Sequence, residues 1–168
     1  MSGRIGLQAA FLGPKGTVAD YNEPTLPLGT AGQLGKIFEV GDKKYRLVKF
    51  SEASVAATVG KVAYWLLKST YTVTSDESDG EALINGICGG FLGTITNGNY
   101  CFVQCGGDQT AVYVANSTVI GDCLGGGTTD GQLERCPVST FVALPVAVAL
   151  SNKSGDTATV RWLPDVLQ

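Results

Sequence analysis

The placement of glycine constrains this chain more than any other feature. There are 23 glycines in 168 residues, scattered singly, in pairs and in one triplet between short apolar and β-branched runs. That is about twice the usual ~7% frequency, and the lack of a fixed period excludes a collagen-like repeat. Glycine is the residue that enters left-handed backbone without steric cost, so scattered glycine between Val, Ile, Thr and Tyr runs predicts many short strands joined by tight turns. Ten or so such strands are spaced for a barrel or sandwich. The expected fold class is all-β: a small β-barrel or jelly-roll-like β-sandwich over residues 34–168, preceded by an extended N-terminal arm over 1–33. A domain of this size buries roughly 70% of its unfolded surface and needs no disulfide or metal to fold.

The arm is set apart by composition. Pro14, Pro24 and Pro27 lie among Gly, Thr and Asn with little periodicity, and YNEPTLPL at 21–28 reads as extended chain. Its apolar residues Leu7, Phe11, Leu12, Leu26 and Leu28 favour docking, either on the chain's own barrel or on a neighbouring subunit.

Beyond the arm, KIFEV (36–40) and KYRLVKF (44–50) form a hairpin around Gly41-Asp42-Lys43. SEASVAAT (51–58) predicts one or two helical turns with Ser51 as N-cap. KVAYWLL (61–67) and YTVT (71–74) read as strands, although Val55, Val59, Val62 and Leu66 also keep helical spacing. SDESDG (75–80) is an acidic turn, followed by expected strands at 82–88 and 91–96. Asn97-Gly98 predicts a type I′ hairpin turn into a return strand at 100–105. Gly106-Gly107-Asp108 reads as another turn, with a strand at 110–115, and Gly121-Asp122 as a turn after Val119-Ile120. A loop is expected at 125–131 and strands at 132–135, 141–150 (bent by Pro145) and, after a turn at 152–155, 157–163.

The chain contains no histidine, which removes Ser-His-Asp and Cys-His nucleophile systems and every His-containing zinc or iron site. It has neither a GxxxxGK[ST] phosphate loop nor a GxSxG elbow. Gly125-Gly126-Gly127 lacks the strand-then-helix context of an anion cradle. Cys88, Cys101, Cys105, Cys123 and Cys136 include no CxxC pair, and an odd number points to reduced, packing thiols. Cys101 and Cys105, four apart on a strand, stand roughly 13 Å apart, too far for a shared metal or a mutual disulfide. Asp76, Glu77 and Asp79 miss the EF-hand spacing and suit a solvated turn better than a calcium loop or hydrolase pair. Asn116 and Asn152 head Asn-x-Ser/Thr sequons that, in a protein made in the cytosol, serve as turn residues. The expectation is therefore no enzyme, no catalytic, cofactor-binding or metal-binding residues, and no cofactor.

Charge points the same way. Twelve basic against 15 acidic residues leave a net charge of −3, and no Lys/Arg run exceeds Lys43-Lys44. Nucleic-acid binding leaves a basic stripe that is not visible here, so neither nucleic acid nor an anionic membrane is the expected partner. The first residues, broken by Gly13, Pro14 and Gly16, make a poor signal peptide, and the longest apolar run, ten residues at 141–150, falls short of the ~20 that span a bilayer. Charged residues are 16% of the chain, below the usual ~25%, which fits a surface partly covered by protein neighbours.

Several segments carry a resemblance. Gly41-Asp42-Lys43-Lys44-Tyr45-Arg46-Leu47-Val48-Lys49, Asn97-Gly98-Asn99-Tyr100-Cys101-Phe102-Val103-Gln104, Gly121-Asp122-Cys123-Leu124 with Asp130-Gly131, and the closing pair 147–150 and 159–163 resemble, in this order, the strand and turn motifs of capsid decoration (cement) proteins of tailed bacteriophages. The match covers about three quarters of the chain, although the glycine usual before the Ala149-Leu150 pair is missing. The resemblance implies a virion role on the outer capsid surface after synthesis in the host cytoplasm. The implied partner is the major capsid protein, whose subunit joints the protein would stabilise. It also implies a homo-oligomer, with a trimer favoured, and an arm that lies on a neighbour. The competing expectation is a virion-surface receptor- or carbohydrate-binding module, such as a head fibre, using Tyr21, Tyr64, Trp65, Tyr71, Tyr100, Tyr113 and Trp162 as aromatic platforms; core packing accounts for most of these rings more simply.

Overall fold

A computed structural model describes residues 18, 20–26, 31–79, 86–115, 117–136 and 145–163. Eleven strands lie among them: β1 (Asn22–Glu23), β2 (Ile37–Val40), β3 (Lys43–Phe50), β4 (Val62–Leu67), β5 (Thr72–Thr74), β6 (Ile87–Phe91), β7 (Tyr100–Tyr113), β8 (Cys123–Gly126), β9 (Leu133–Arg135), β10 (Ala147–Ala149) and β11 (Thr157–Trp162). The only helical pieces among the described residues are two 3-10 turns, Ala31–Gln33 and Lys68–Thr70. The protein is all-β, and of the two arrangements expected it is a small barrel.

The barrel closes through five strands. β3 pairs with β5 in parallel, and β5 with β4, β4 with β6, β6 with β7 and β7 back to β3 all pair antiparallel. Closure removes the exposed edges that an open sheet would offer to aggregation. Strand alternation sorts the side chains. Val48 and Phe50 of β3 join Ala63 and Trp65 of β4, Val73, Phe91 and Val103 in one buried cluster, with Phe50 and Phe91 meeting edge to face at 5.5 Å. On the other face of β3, Tyr45 and Leu47 pack with Phe102, Phe38 of β2 and Tyr21 of the arm. Both faces of β3 are thus buried, which explains why its sequence is apolar on both alternating sets.

β7 is the strand that couples the barrel to a second sheet. It runs for 14 residues; its first half pairs with β3 and β6, and its second half, from Gly107, pairs with β11. The second sheet continues from β11 to β10, β8 and β9. Its inner face (Leu124, Leu133, Ala147, Val160 and Trp162) packs against Val62 and Tyr64, the β4 residues that alternate with Ala63 and Trp65. The turn expected at Gly106-Gly107-Asp108 is therefore a bend inside one strand. Gly107 takes φ +75, the register against β3 slips between Lys44 and Tyr45, and the buried Gln104 amide donates to the carbonyls of Gly106 and Asp108, both at 3.1 Å. A β-bulge with a left-handed glycine is how a strand leaves one sheet for another.

Other expectations meet mixed outcomes. The β2–β3 hairpin forms with Val40 opposite Lys43, so the loop is Gly41-Asp42 and Lys43 already belongs to the strand. Residues 51–58 form bends, not helical turns: the Glu52 carboxylate accepts from the Ser54 N–H and hydroxyl, and Ala57 bridges to Ile95. The helical spacing of Val55, Val59, Val62 and Leu66 does not make a helix either: Val59 stays 54% exposed, and Val62 and Leu66 belong to β4, which buries both of its faces. At Asn97-Gly98 only Gly98 has positive φ, at +87, and the Asn99 N–H donates to the Thr96 carbonyl. That is type II geometry rather than type I′, and the turn lies in the longer connection between the paired strands β6 and β7, where it caps the end of β3 through Phe50. β6 straddles the gap between the strands expected at 82–88 and 91–96; residues 80–85, like 141–144 of the expected 141–150 strand, lie outside the described residues.

Of the arm, residues 20–26 dock on the chain's own barrel. Tyr21 is 2% exposed and meets Phe102 edge to face at 5.3 Å, while β1 pairs with the start of β7. The Asn22 side chain accepts from the Thr96 N–H at 3.1 Å and from the Asn99 amide at 2.8 Å, fixing the arm to the Asn97-Gly98 turn. The rest of 1–30 lies outside the described residues, apart from Val18.

Candidate functional site

The sequence names no catalytic, cofactor or metal residue, and among the described residues the structure brings together one group of acidic side chains that a linear reading only half contains. Glu52, Asp76 and Asp79 present carboxylate oxygens all within 4.8 Å of one another. Asp76 and Asp79 belong to the acidic turn after β5; Glu52 comes from the irregular segment after β3, brought alongside because β3 and β5 are parallel neighbours. Glu77 is not a member, and its backbone N–H donates to Asp130 at 3.0 Å.

Local donors divide the three acids. Hydrogen bonds from the Ser54 N–H and hydroxyl, with a further one from Thr74 at 3.1 Å, hold the Glu52 carboxyl down to about 2. The Ser78 hydroxyl at 2.6 Å and N–H at 2.8 Å lower Asp76 in the same way. Asp79 is pushed up, first by burial and then by the neighbouring Glu52 and Asp76 charges. Three hard oxygen donors at this spacing suit a divalent cation such as Ca²⁺. Equally, Ser54, Thr74 and Ser78 already satisfy two of the carboxylates, so the group works as a clasp between the two loops.

The sign of its pH dependence follows. Glu52 has a depressed folded value, so it stabilises the fold above its unfolded value, and that contribution is lost as pH falls towards 2. Asp79 has a raised folded value, so its ionised form opposes folding at neutral pH and the opposition fades on acidification. Thermal melts should show Asp79→Asn about 1–3 °C more stable than wild type at pH 7, with the gap closing near pH 4, and Glu52→Gln less stable by about 1 kcal/mol at pH 7. Equal melting of wild type and Asp79→Asn at both pH values would refute the assignment.

The barrel interior holds a second polar feature. Arg46, 7% exposed, lies over the Trp65 ring at 5.3 Å. Its Nε, the Trp65 Nε1 and the Tyr21 hydroxyl are buried with no hydrogen-bond partner among the described residues. The guanidinium's placement over the indole offsets part of that cost. Arg46 favours the thiolates of Cys88 and Cys105, but burial dominates and pushes both thiols up.

The remaining sequence features fall into structural roles. Cys88, Cys101 and Cys105 are buried, as packing thiols should be, whereas Cys123 is exposed and Cys136 half-buried. Tyr21, Tyr64, Trp65 and Trp162 are core residues, leaving Tyr71 as the most exposed of the seven aromatic side chains proposed as platforms, at 40%. In the glycine triplet, Gly125 and Gly126 belong to β8, and the following Thr128 N–H and hydroxyl donate to Glu134 at 2.9 and 3.0 Å, so the chain's own carboxylate takes the loop's donors. Asn152 accepts from the Ile120 N–H at 2.9 Å, the turn role expected of it; Asn116 lies outside the described residues.

The surface also carries exposed apolar side chains. Ile37 and Val40 stand exposed on β2, which among the described residues pairs only with β3, and Val119 and Ile120 are exposed on the turn before β8. Comparison with known protein families and with curated proteins gives no match.

Proposed function

We propose that this protein decorates the outside of a tailed-phage head, binding the major capsid protein across subunit joints as a homo-oligomer, with a trimer favoured. The observation that carries the reading is where the resembling segments sit. The Gly41–Lys49 stretch supplies the β2–β3 turn and most of β3, and the stretch from Asn97 to Gln104 supplies the turn and the first five residues of β7. These two strands pair directly, Arg46 with Val103 and Leu47 with Phe102. The closing segments form the β10–β11 pair, and the Gly121-Asp122 turn leads into β8 beside β10. Motifs far apart in sequence thus become neighbours in one framework, as a shared fold requires.

Surface chemistry agrees. A binding role needs shape and apolar contact instead of an activated nucleophile, and β2 with the 119–120 turn places apolar side chains outward. A net charge of −3 suits a location away from packaged DNA.

The test is direct. Purified protein mixed with undecorated heads should co-sediment with them and raise their rupture temperature by several degrees, since a ligand that binds only the intact shell stabilises it by mass action. Failure to bind, or binding without a change in rupture, would overturn the proposal. Binding to host envelopes instead of heads would transfer the protein to the receptor-binding class.

A further inference from the structure

Two of the five cysteines face each other across a strand pair. In the β8–β9 register, Leu124 lies opposite Arg135 and Gly125 opposite Glu134. One step further along the same register, Cys123 lies opposite Cys136, and the Cys136 N–H donates to the Cys123 carbonyl at 2.8 Å. Directly opposed residues of an antiparallel pair project to the same face, and a hydrogen-bonded pair has its Cα atoms about 5.5 Å apart, inside the ~4.4–6.8 Å range of disulfides. Cys123 is exposed and Cys136 half-buried, whereas the other three thiols are shut in the core. Burial and the neighbouring Cys123 both push the Cys136 thiol up, a sign of their proximity.

We propose that Cys123 and Cys136 are a reversible disulfide site, closed by a low-molecular-weight disulfide of the glutathione class, that pins the β8–β9 hairpin at its open end. The Cys123 thiolate attacks one sulfur of glutathione disulfide, breaking its S–S bond and releasing one glutathione thiolate. The Cys136 thiolate then attacks the Cys123 sulfur of the mixed disulfide and expels the second glutathione. The protein gives up two protons and two electrons, and one glutathione disulfide becomes two glutathione thiols. A hydrogen-bonded pair holds its Cβ atoms wider apart than the ~3.8 Å that disulfides favour, so the closed bond is strained and easily reduced again. Closure ties off a loop of about 14 residues beside the point where the chain leaves β9. The inference stands whether or not the protein decorates a shell.

In the reduced native protein, N-ethylmaleimide should modify Cys123 and Cys136 and spare Cys88, Cys101 and Cys105. After incubation with glutathione disulfide, both reactive thiols should disappear, the mass should fall by two hydrogens with no glutathione retained, and peptide mapping should link positions 123 and 136. The melting temperature should rise by about 3–6 °C and return on mild reduction. Cys123→Ser and Cys136→Ser should each end as a glutathione adduct on the remaining cysteine, with no such rise. Wild-type protein that keeps both thiols free, retains glutathione on either cysteine, or cross-links between chains would overturn the proposal.

Discussion

Gly60→Ala is expected to cost about 4 kcal/mol or more and to lower the melting temperature by about 10–15 °C. Gly60 has φ +83, where an L side chain costs about 1–2 kcal/mol. Steric overlap costs more: an added Cβ would stand 1.9 Å from the Ala111 carbonyl oxygen and 3.0 Å from its carbon. Those atoms belong to backbone, so no rotamer change relieves the overlap. Nor can Gly60 retreat, because its N–H donates to Phe91 at the end of β6 and its carbonyl accepts from Tyr113 on β7, at 3.0 and 2.9 Å. Ala111 is itself held at φ +56 in the second half of β7. The substitution therefore strikes where the loop into β4 crosses the strand shared by both sheets. Circular dichroism melts of Gly60→Ala beside Gly41→Ala provide the check. Gly41 also has positive φ, at +67, but its added Cβ would meet nothing within 4 Å, so that variant should bear only the cost of a left-handed backbone. Equal loss in the two would show that the Ala111 contact is immaterial.

Local chemistry made some elements legible. The β2–β3 hairpin was readable from Gly41-Asp42 between alternating runs, and β11 from the clean alternation of Thr157–Trp162, because both depend on neighbours in sequence. β7 was not. Gly106-Gly107 signals a turn in any local reading, since the positive φ that ends a strand is the same one that bends it; only pairing with β3 on one side and β11 on the other shows that the strand continues. Asn97-Gly98 fails for a related reason: its turn type is set by Phe50 and the arm residue Asn22, both distant in sequence. The acidic group was half visible, as Asp76 and Asp79 are three apart while Glu52 reaches them only through the parallel β3–β5 pairing. The facing of Cys123 and Cys136 depends on a register that no spacing rule supplies.

The same β7 strand carries the second large effect. Gln109→Leu should destabilise the fold by about 2–4 kcal/mol, a loss of roughly 5–15 °C in melting temperature. Gln109, 5% exposed, accepts from Trp162 Nε1 at 2.7 Å and donates to the Phe91 carbonyl at 3.0 Å. One side chain thus joins β11 of the second sheet to β6 of the barrel, and all three groups are buried. Leucine matches glutamine roughly in volume, so the loss is mainly polar. The Phe91 carbonyl keeps its bond from the Gly60 N–H, but the Trp162 N–H, on a residue 1% exposed, is left with no acceptor. An orphaned buried donor costs about 1–3 kcal/mol, and the second lost bond adds about 1. Trp162→Phe is the diagnostic partner, since it removes the orphaned donor while keeping an aromatic ring in the same cluster. In Gln109→Leu/Trp162→Phe the losses should fall short of the sum of the single changes by at least about 1 kcal/mol in chemical denaturation. Simple additivity would mean that the Gln109–Trp162 bond does not tie the two sheets together.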